Sequence, residues 1–304
     1  MNKLTKVGCS ALCGSLAAIS AANAGDLTVT GGADVTYFSH GGAETGNPFG
    51  MASAVTFKGS GELDNGWGWN FTIDETDTVA FSAARVNITM GGLGTLEFDQ
   101  GNSGNGIAAY DNVLPTAWEE SHGAGLSGGV KTVLGSGASD NIQYTSPTVL
   151  GTTIAVTYAH EVGKADTADK ASSGAASNTV GKGYDGIINI NPSLGTELLS
   201  GLNIYLAAHY AESTDGNTTL YQDTGSGVAG LTLDLGPVSI GYAESGRVTG
   251  LKADLGDTVG DPDYYKSEMY GVAFNVNDDL SLSYSYYETR KEGFSSNTYV
   301  KESL

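Results

Sequence analysis

The sequence predicts an all-β protein: an antiparallel, up-and-down barrel that crosses a membrane with its strands. Three observations carry that prediction. Hydrophobicity alternates with a period of two from Asp26 onward. The connections between alternating segments are short at one end of the strands and long at the other. Beyond residue 24, no apolar run is long enough for a membrane-spanning helix. Composition agrees with a folded β-protein. The 304 residues include 45 Gly but only 6 Pro, and Gly has no three-residue period, which excludes a collagen-like chain. A formal charge of −20, from 34 acidic against 14 basic residues, argues against a nucleic-acid partner, because phosphate binding needs a basic face.

Residues 1–24 read as an export signal. Lys3 and Lys6 precede an uncharged stretch from Val7 to Ala22, and Ala22-Asn23-Ala24 gives the small-x-small cleavage pattern, with Gly25 as the expected mature start. Cys9 and Cys13, the only cysteines, lie inside this segment, so the mature chain is expected to have no disulfide and no thiolate metal site. Loss of Lys3 and Lys6 takes the charge from −20 to −22.

The strands follow in order. Leu27, Val29, Ala33, Val35 and Tyr37 alternate with polar or small residues and predict a strand over 26–38. A second is expected over 51–62. Trp67, Trp69, Phe71 and Ile73 mark 67–74, and Val86, Ile88 and Met90 mark 80–90. Segments 95–100 and 140–146 precede 152–160, which carries Ile154, Val156 and Tyr158. Next come 184–190, 202–211 (Leu202, Ile204, Leu206, Ala208, Tyr210) and 228–235 (Leu231, Leu233, Leu235). Then come 238–244 (Val238, Ile240, Tyr242), 267–276 (Tyr270, Val272, Phe274, Val276) and 280–288 (Leu280, Leu282, Tyr284, Tyr286). A fourteenth starts near Thr298.

Tight connections lie at 64–66, 91–94, 147–151, 236–237 and 277–279, with 191–201 moderately longer, and long polar ones at 39–50, 101–138, 161–183, 212–225 and 245–265, with 75–78 the one short connection on that side. A soluble sandwich has no reason to sort its loops by end; a barrel with turns on one side of an outer membrane and loops on the other does. Tyr37, Tyr158, Tyr210, Tyr242 and Tyr286 sit near the loop ends of their strands with the parity of the apolar face, as an interfacial belt requires. An open edge in lipid costs several kcal/mol per unpaired backbone group. A count of thirteen and a fraction therefore implies that about two and a half strands are missing from the end of the sequence, for a barrel that closes on an even number.

The chain resembles the Gram-negative general porins, in particular those of marine alphaproteobacteria. The resemblance rests on MNKLTKVG at 1–8, ANAG at 22–25, LTVTGGADVTY at 27–37 and MASAVTFKGSGELDNGW at 51–67. It also rests on NITMGGLGTLEFDQGNSGN at 87–105 and YDNVLPTAWEES at 110–121. It implies a sixteen-stranded barrel, a homotrimer in the cell outer membrane, contact with its lipids and lipopolysaccharide, and a third outer loop folded inward as a constriction. Residues 101–138 match that loop in position and size, giving a barrel domain over 25–304. The chain departs from the family in ending Lys-Glu-Ser-Leu, where a strand with a terminal aromatic is the rule.

A pore sorts solutes by radius and by the charges at its narrowest part. Lys58 shares the parity of Thr56 and Ser60, and Arg85 that of Asn87 and Thr89, so both are expected on the water-facing side. On the lipid side a charge near mid-membrane would cost about 2–4 kcal/mol. Opposite them, the inserted loop offers Asp111, Glu119 and Glu120, with Glu97 and Asp99 on the adjoining strand, giving a field across the constriction. The excess of acids predicts a mild cation preference that weakens with salt. Asp254, Asp257, Asp261 and Asp263 are weak Ca²⁺ candidates, lacking the spacing of a dedicated calcium loop.

No cofactor and no enzyme activity are expected. Gly125-Leu126-Ser127-Gly128-Gly129 has the form of a nucleophile elbow, but no strand-to-helix context surrounds it, and in a glycine-rich chain such matches arise by chance. His40, His122, His160 and His209 are scattered without metal spacing. The sequence reads as an outer-membrane porin for passive diffusion of small hydrophilic solutes. The alternatives are a substrate-selective channel with a binding track on the same wall, or a secreted β-rich adhesin.

Overall fold

The structure, a computed structural model, describes residues 25–37, 49–76, 79–101, 104–111, 113–117, 130–163, 180–192, 200–213, 223–249, 264–291 and 298–303. The expected signal at 1–24 lies outside them. The chain divides into two units, 1–91 and 92–304. The first holds β1 (Asp26–Tyr37), β2 (Phe49–Glu62), β3 (Gly68–Thr76) and β4 (Val79–Thr89). Each pairs antiparallel with the next in sequence.

The second unit continues the pattern with β5 (Thr95–Gln100), β6 (Asp140–Thr145), β7 (Thr152–Ala159), β8 (Val180–Ile190) and β9 (Leu202–Ser213). It ends with β10 (Thr224–Leu235), β11 (Val238–Val248), β12 (Tyr264–Asn277), β13 (Leu280–Lys291) and β14 (Thr298–Ser303). Sequential neighbours again pair antiparallel throughout. Among the described residues no helix is long and apolar enough to cross a membrane.

All fourteen expected strands are present, but several of their loop ends run further than the alternation indicated. β10 begins at Thr224 rather than 228, β11 ends at Val248 rather than 244, and β12 begins at Tyr264 rather than 267. At those ends the apolar parity carries Gly225, Gly227, Gly246 and Lys266 before it reaches Val248 and Tyr264 at the strand tips, so the alternation of hydropathy is interrupted while the backbone ladder continues. The short turns need glycine where the backbone demands it. At Gly94 (φ 91) a Cβ would fall 2.2 Å from the Thr145 carbonyl oxygen, and at Gly151 (φ 76) 2.1 Å from that of Asn191.

The two faces of each sheet are inverted relative to a water-soluble protein. On one face of β7–β13 the large apolar side chains are bare: Leu206 is 47% exposed and Leu282 56%, with Ile154, Val156, Val272 and Phe274 alike. Phe57, Phe71 and Val86 are exposed in the first unit, and Val29, Ile88, Ile204 and Leu233 are not buried either. Each such side chain left in water forfeits about 1.5–3 kcal/mol, and a contiguous apolar face of this extent marks contact with an apolar phase. The buried core is instead on the opposite face, beneath the segment between β5 and β6.

Tyr242, Tyr270 and Tyr286 form one register row on the bare face, with the last two rings stacked at 4.9 Å. Glu244, Glu268 and Glu288 form the next row toward the loops. The hydroxyls of Tyr242 and Tyr286 donate to Glu244 (2.7 Å) and Glu288 (2.6 Å), while Lys266 and Arg290 pair with the same two carboxylates. The belt is thus apolar on one side and charged on the other, as rings at a membrane–water boundary are.

Candidate functional site

The site is made by the segment that leaves β5 and returns at β6. Its described parts, 104–117 (without 112) and 130–139, pack on the polar face of the second sheet. Ile107, Leu114, Val130 and Val133 are buried there against Ile187, Tyr205, Val228, Met269 and Tyr287. A polar sheet face has few apolar partners to offer, so hydrogen bonds must fix the position.

Asp185, on β8 and 2% exposed, is the main anchor. Its carboxylate accepts from the backbone N–H of Ile107 (2.9 Å), from the N–H of Ser136 (3.0 Å) and from the Ser136 hydroxyl (2.8 Å). His209 Nδ1, on β9, lies 2.6 Å from it. The carboxylate can only accept, so Nδ1 carries the proton. Both limbs of the loop are thereby tied to one buried acid. Gly106 (φ 68) is needed on two counts: its backbone is left-handed, and a Cβ there would sit 2.0 Å from Asp185 Oδ2.

Secondary anchors spread along the wall. Asn105 donates to Asn141 (3.0 Å) and the Gly106 N–H to Gln143 (2.9 Å). The returning limb meets the hydroxyl of Ser226 at Leu134. At Lys131 the backbone N–H donates to Thr289 (3.0 Å) and the carbonyl accepts from Ser267 (2.7 Å). Leu114-Pro115 rests on Gly241 and Gly271, which are register partners: a Cβ would lie 2.6 Å from Pro115 Cδ at the first and 2.9 Å from the Pro115 carbonyl oxygen at the second. Tyr110 packs on Tyr205, ring centroids 5.1 Å apart, and accepts from Asn189; burial pushes its phenol above the ordinary range.

The predicted site residues are placed as follows. Thr28, Lys58, Thr72 and Arg85 form one register row across β1–β4, so Lys58 and Arg85 share a face and flank Thr72. Lys58 is exposed and Arg85 half-buried. Asp99 is 4% exposed, on the parity opposite the exposed Phe98, one register step from Asn141; it lies among the loop's anchors rather than in open water. Glu97 shares its parity and is half-buried. Asp111 ends the short 3₁₀ turn Ile107–Tyr110, and its carbonyl accepts from Tyr287 (3.4 Å). Glu119, Glu120 and the aspartates at 254, 257, 261 and 263 lie outside the described residues.

The anchor Asp185 carried no signal that alternation could reveal, because the expected strand began one residue before it and made it look like a loop-end charge. Ser136, Asp185 and His209 do not form a hydrolytic set. The serine bonds the acid rather than the imidazole, and His209 Nε2 is buried without a hydrogen-bond partner, so nothing deprotonates the hydroxyl. Among the described residues no cluster of three or more His, Cys, Asp or Glu could hold a metal ion.

The Gram-negative porin family matches residues 8–301. No curated protein matches the sequence. Among solved structures, the anion-selective porin from Comamonas acidovorans is similar with a TM-score of 0.55 at 16% identity, covering 88% of this chain and 80% of that one. A porin refined at 1.8 Å resolution gives a TM-score of 0.57 at 12% identity, covering 91% and 98%. OmpF of Salmonella typhi, in complex with daunomycin, gives 0.55 at 12% identity, covering 90% and 82%. At these identities the likeness concerns the fold, which is that of the porin barrels. The chain belongs to the Gram-negative porin family and is a channel protein of the outer membrane.

Proposed function

We propose that this porin is a general diffusion channel: small hydrophilic solutes cross it passively, sorted by size and weakly by charge, without covalent chemistry or a cofactor. The observation that carries this reading is the loop between β5 and β6, held on the polar face by Asp185 while the apolar face stays bare. A segment tied at so many points along a wall sets a fixed aperture. Lys58 and Arg85 on one sheet, with the loop acids Asp111, Glu119 and Glu120 as their counterpart, supply the charges at the narrow part. The net charge of −20 favours cations at the mouth, an effect that fades as the Debye length falls from about 10 Å at 0.1 M salt to about 3 Å at 1 M. The protein assembles as a homotrimer, with lipid and lipopolysaccharide against the bare face.

Liposome swelling with a series of neutral sugars tests the reading. A smooth decline with solute radius supports a general porin, and saturation by one class of sugar replaces it with the substrate-selective alternative. Reversal potentials in KCl gradients test the charge preference, which should favour K⁺ and weaken at high salt.

A further inference from the structure

We propose that Lys131, on the returning limb of the loop, is a specificity residue of the channel: it draws small anions to the aperture and opposes the cation preference set by the net charge. The proposal rests on the channel reading above and deepens it by placing a charge step on one residue of the loop. The returning limb is described over 130–139, and Lys131 is the one charged residue in that stretch. Its neighbours Val130, Thr132 and Val133 are buried, whereas Lys131 is exposed. Its side chain therefore leaves the wall for the water while the backbone on either side stays packed.

The backbone of Lys131 is held by a closed ring of hydrogen bonds. Its N–H donates to Thr289 Oγ1 (3.0 Å), the hydroxyls of Thr289 and Ser267 lie 2.8 Å apart, and Ser267 Oγ donates to the Lys131 carbonyl (2.7 Å). A backbone N–H can only donate and a carbonyl can only accept, which leaves one assignment of the two hydroxyl protons. Thr289 gives its proton to Ser267, and Ser267 gives its own to the carbonyl. The three bonds run in one direction from the N–H of Lys131 back to its C=O, each polarising the next. Ser267 and Thr289 are register partners, 2% and 0% exposed, so water does not compete for the ring. The charge of Lys131 is thus carried on a fixed point of the limb.

The wall beneath does not neutralise that charge. Lys131 makes no ion pair with any described residue. Glu244, Glu268 and Glu288 lie on the bare apolar side, where Lys266 and Arg290 pair with two of them. On the loop-bearing side, described positions of β10–β13 hold no acid except Asp234 at the turn end. An ammonium is a compact point charge without a rigid fork, so it attracts chloride, carboxylates and phosphates by charge rather than by shape. At about 7 Å in water one unit charge changes the local concentration of a monovalent ion about threefold, and screening at 0.1 M salt leaves about twofold. Cations and anions move in opposite directions, so their permeability ratio changes by about threefold.

The test uses the full chain in planar bilayers, with Cys9 and Cys13 replaced by Ser, and reads reversal potentials in KCl gradients. Lys131→Gln should raise the K⁺ over Cl⁻ permeability ratio about threefold near 0.1 M salt, and Lys131→Glu by about the square of that factor. Both shifts should fade near 1 M salt. Lys131→Arg keeps the charge and should match the parent protein. Lys131→Cys separates charge from structure within one folded protein. A cationic methanethiosulfonate should return its ratio to the parent value, and an anionic one should carry it to that of Lys131→Glu. Circular dichroism checks folding, and if Lys131→Glu does not fold, the two reagents on Lys131→Cys decide alone. Open channels with the same ratio after either reagent overturn the assignment and leave the channel reading standing, as does a thiol at this position that neither reagent reaches. A folded parent protein that gives no conductance overturns the channel reading and the assignment with it.

Discussion

The two units build sheets by the same rule and use the polar face differently. In β1–β4 that face is mixed: Lys58 is exposed, its row neighbour Thr72 is 4% exposed, and Thr56 donates to Asp74 at 2.6 Å in a part-buried pair. In β5–β13 the same kind of face is covered, so Asp185, His209 and Asp99 are 2%, 5% and 4% exposed. The difference comes from one connecting segment, not from the strands. Once a loop lies on a polar wall, each wall polar group must bond to the loop or carry the cost of burial, and the wall becomes a specific clamp.

The largest expected effect removes the clamp. Asp185→Leu strands the Ile107 and Ser136 donors and should cost about 3–5 kcal/mol, as breaking a buried charged network does. Denaturation should show the loss, and single-channel records should show a wider, noisier aperture. Next comes the seat of the loop tip. Gly271→Ala places a Cβ 2.9 Å from the Pro115 carbonyl oxygen, and the shift it forces should cost about 1–3 kcal/mol. A thermal melt against Gly186→Ala, where a Cβ meets nothing within 4 Å, isolates the steric term. In the uncovered unit, Lys58→Glu should alter stability by no more than about 0.5 kcal/mol yet raise the K⁺ over Cl⁻ permeability ratio.

The smallest effect concerns pH. The Ser213 N–H (2.9 Å) and the Tyr210 hydroxyl (2.7 Å) donate to Asp223, whose carboxyl is held below the ordinary range by the first bond chiefly. A lowered folded pKa gives stability that is present above the unfolded value of about 3.9 and is lost as pH falls through the lower folded one. The difference in melting temperature between wild type and Asp223→Asn should shrink below about pH 4. The group is largely exposed, so the effect is small.

The strands were legible because alternation is a local property: Leu27 to Tyr37 or Tyr270 to Val276 state their faces by parity alone. Their loop ends were not, because at Gly225, Gly227 and Gly246 the backbone pairs without an apolar side chain to announce it. The face assignments of Lys58 and Arg85 followed from parity, and register adds that the two share one row. The clamp was hidden for a different reason. Asp185 meets Ile107 and Ser136 across long stretches of sequence, so its role is set by the path of a loop and not by its neighbours in the chain. His209 was read as a polar wall residue, which is its position; its bond to Asp185 needed the β8–β9 register.

The central claim is that the bare face meets hydrocarbon and the opposite face meets water or the loop. Nitroxide spin labels at single cysteines, in a background with Cys9 and Cys13 replaced by Ser, test it in reconstituted bilayers. Labels at Phe71, Leu206 and Val272 should relax faster with O₂, which partitions into lipid, than with a water-soluble nickel chelate. Labels at Thr56, Thr232 and Ser283 should show the reverse order. Nickel access at Leu206 and Val272 equal to that at Thr232 and Ser283 would contradict the account.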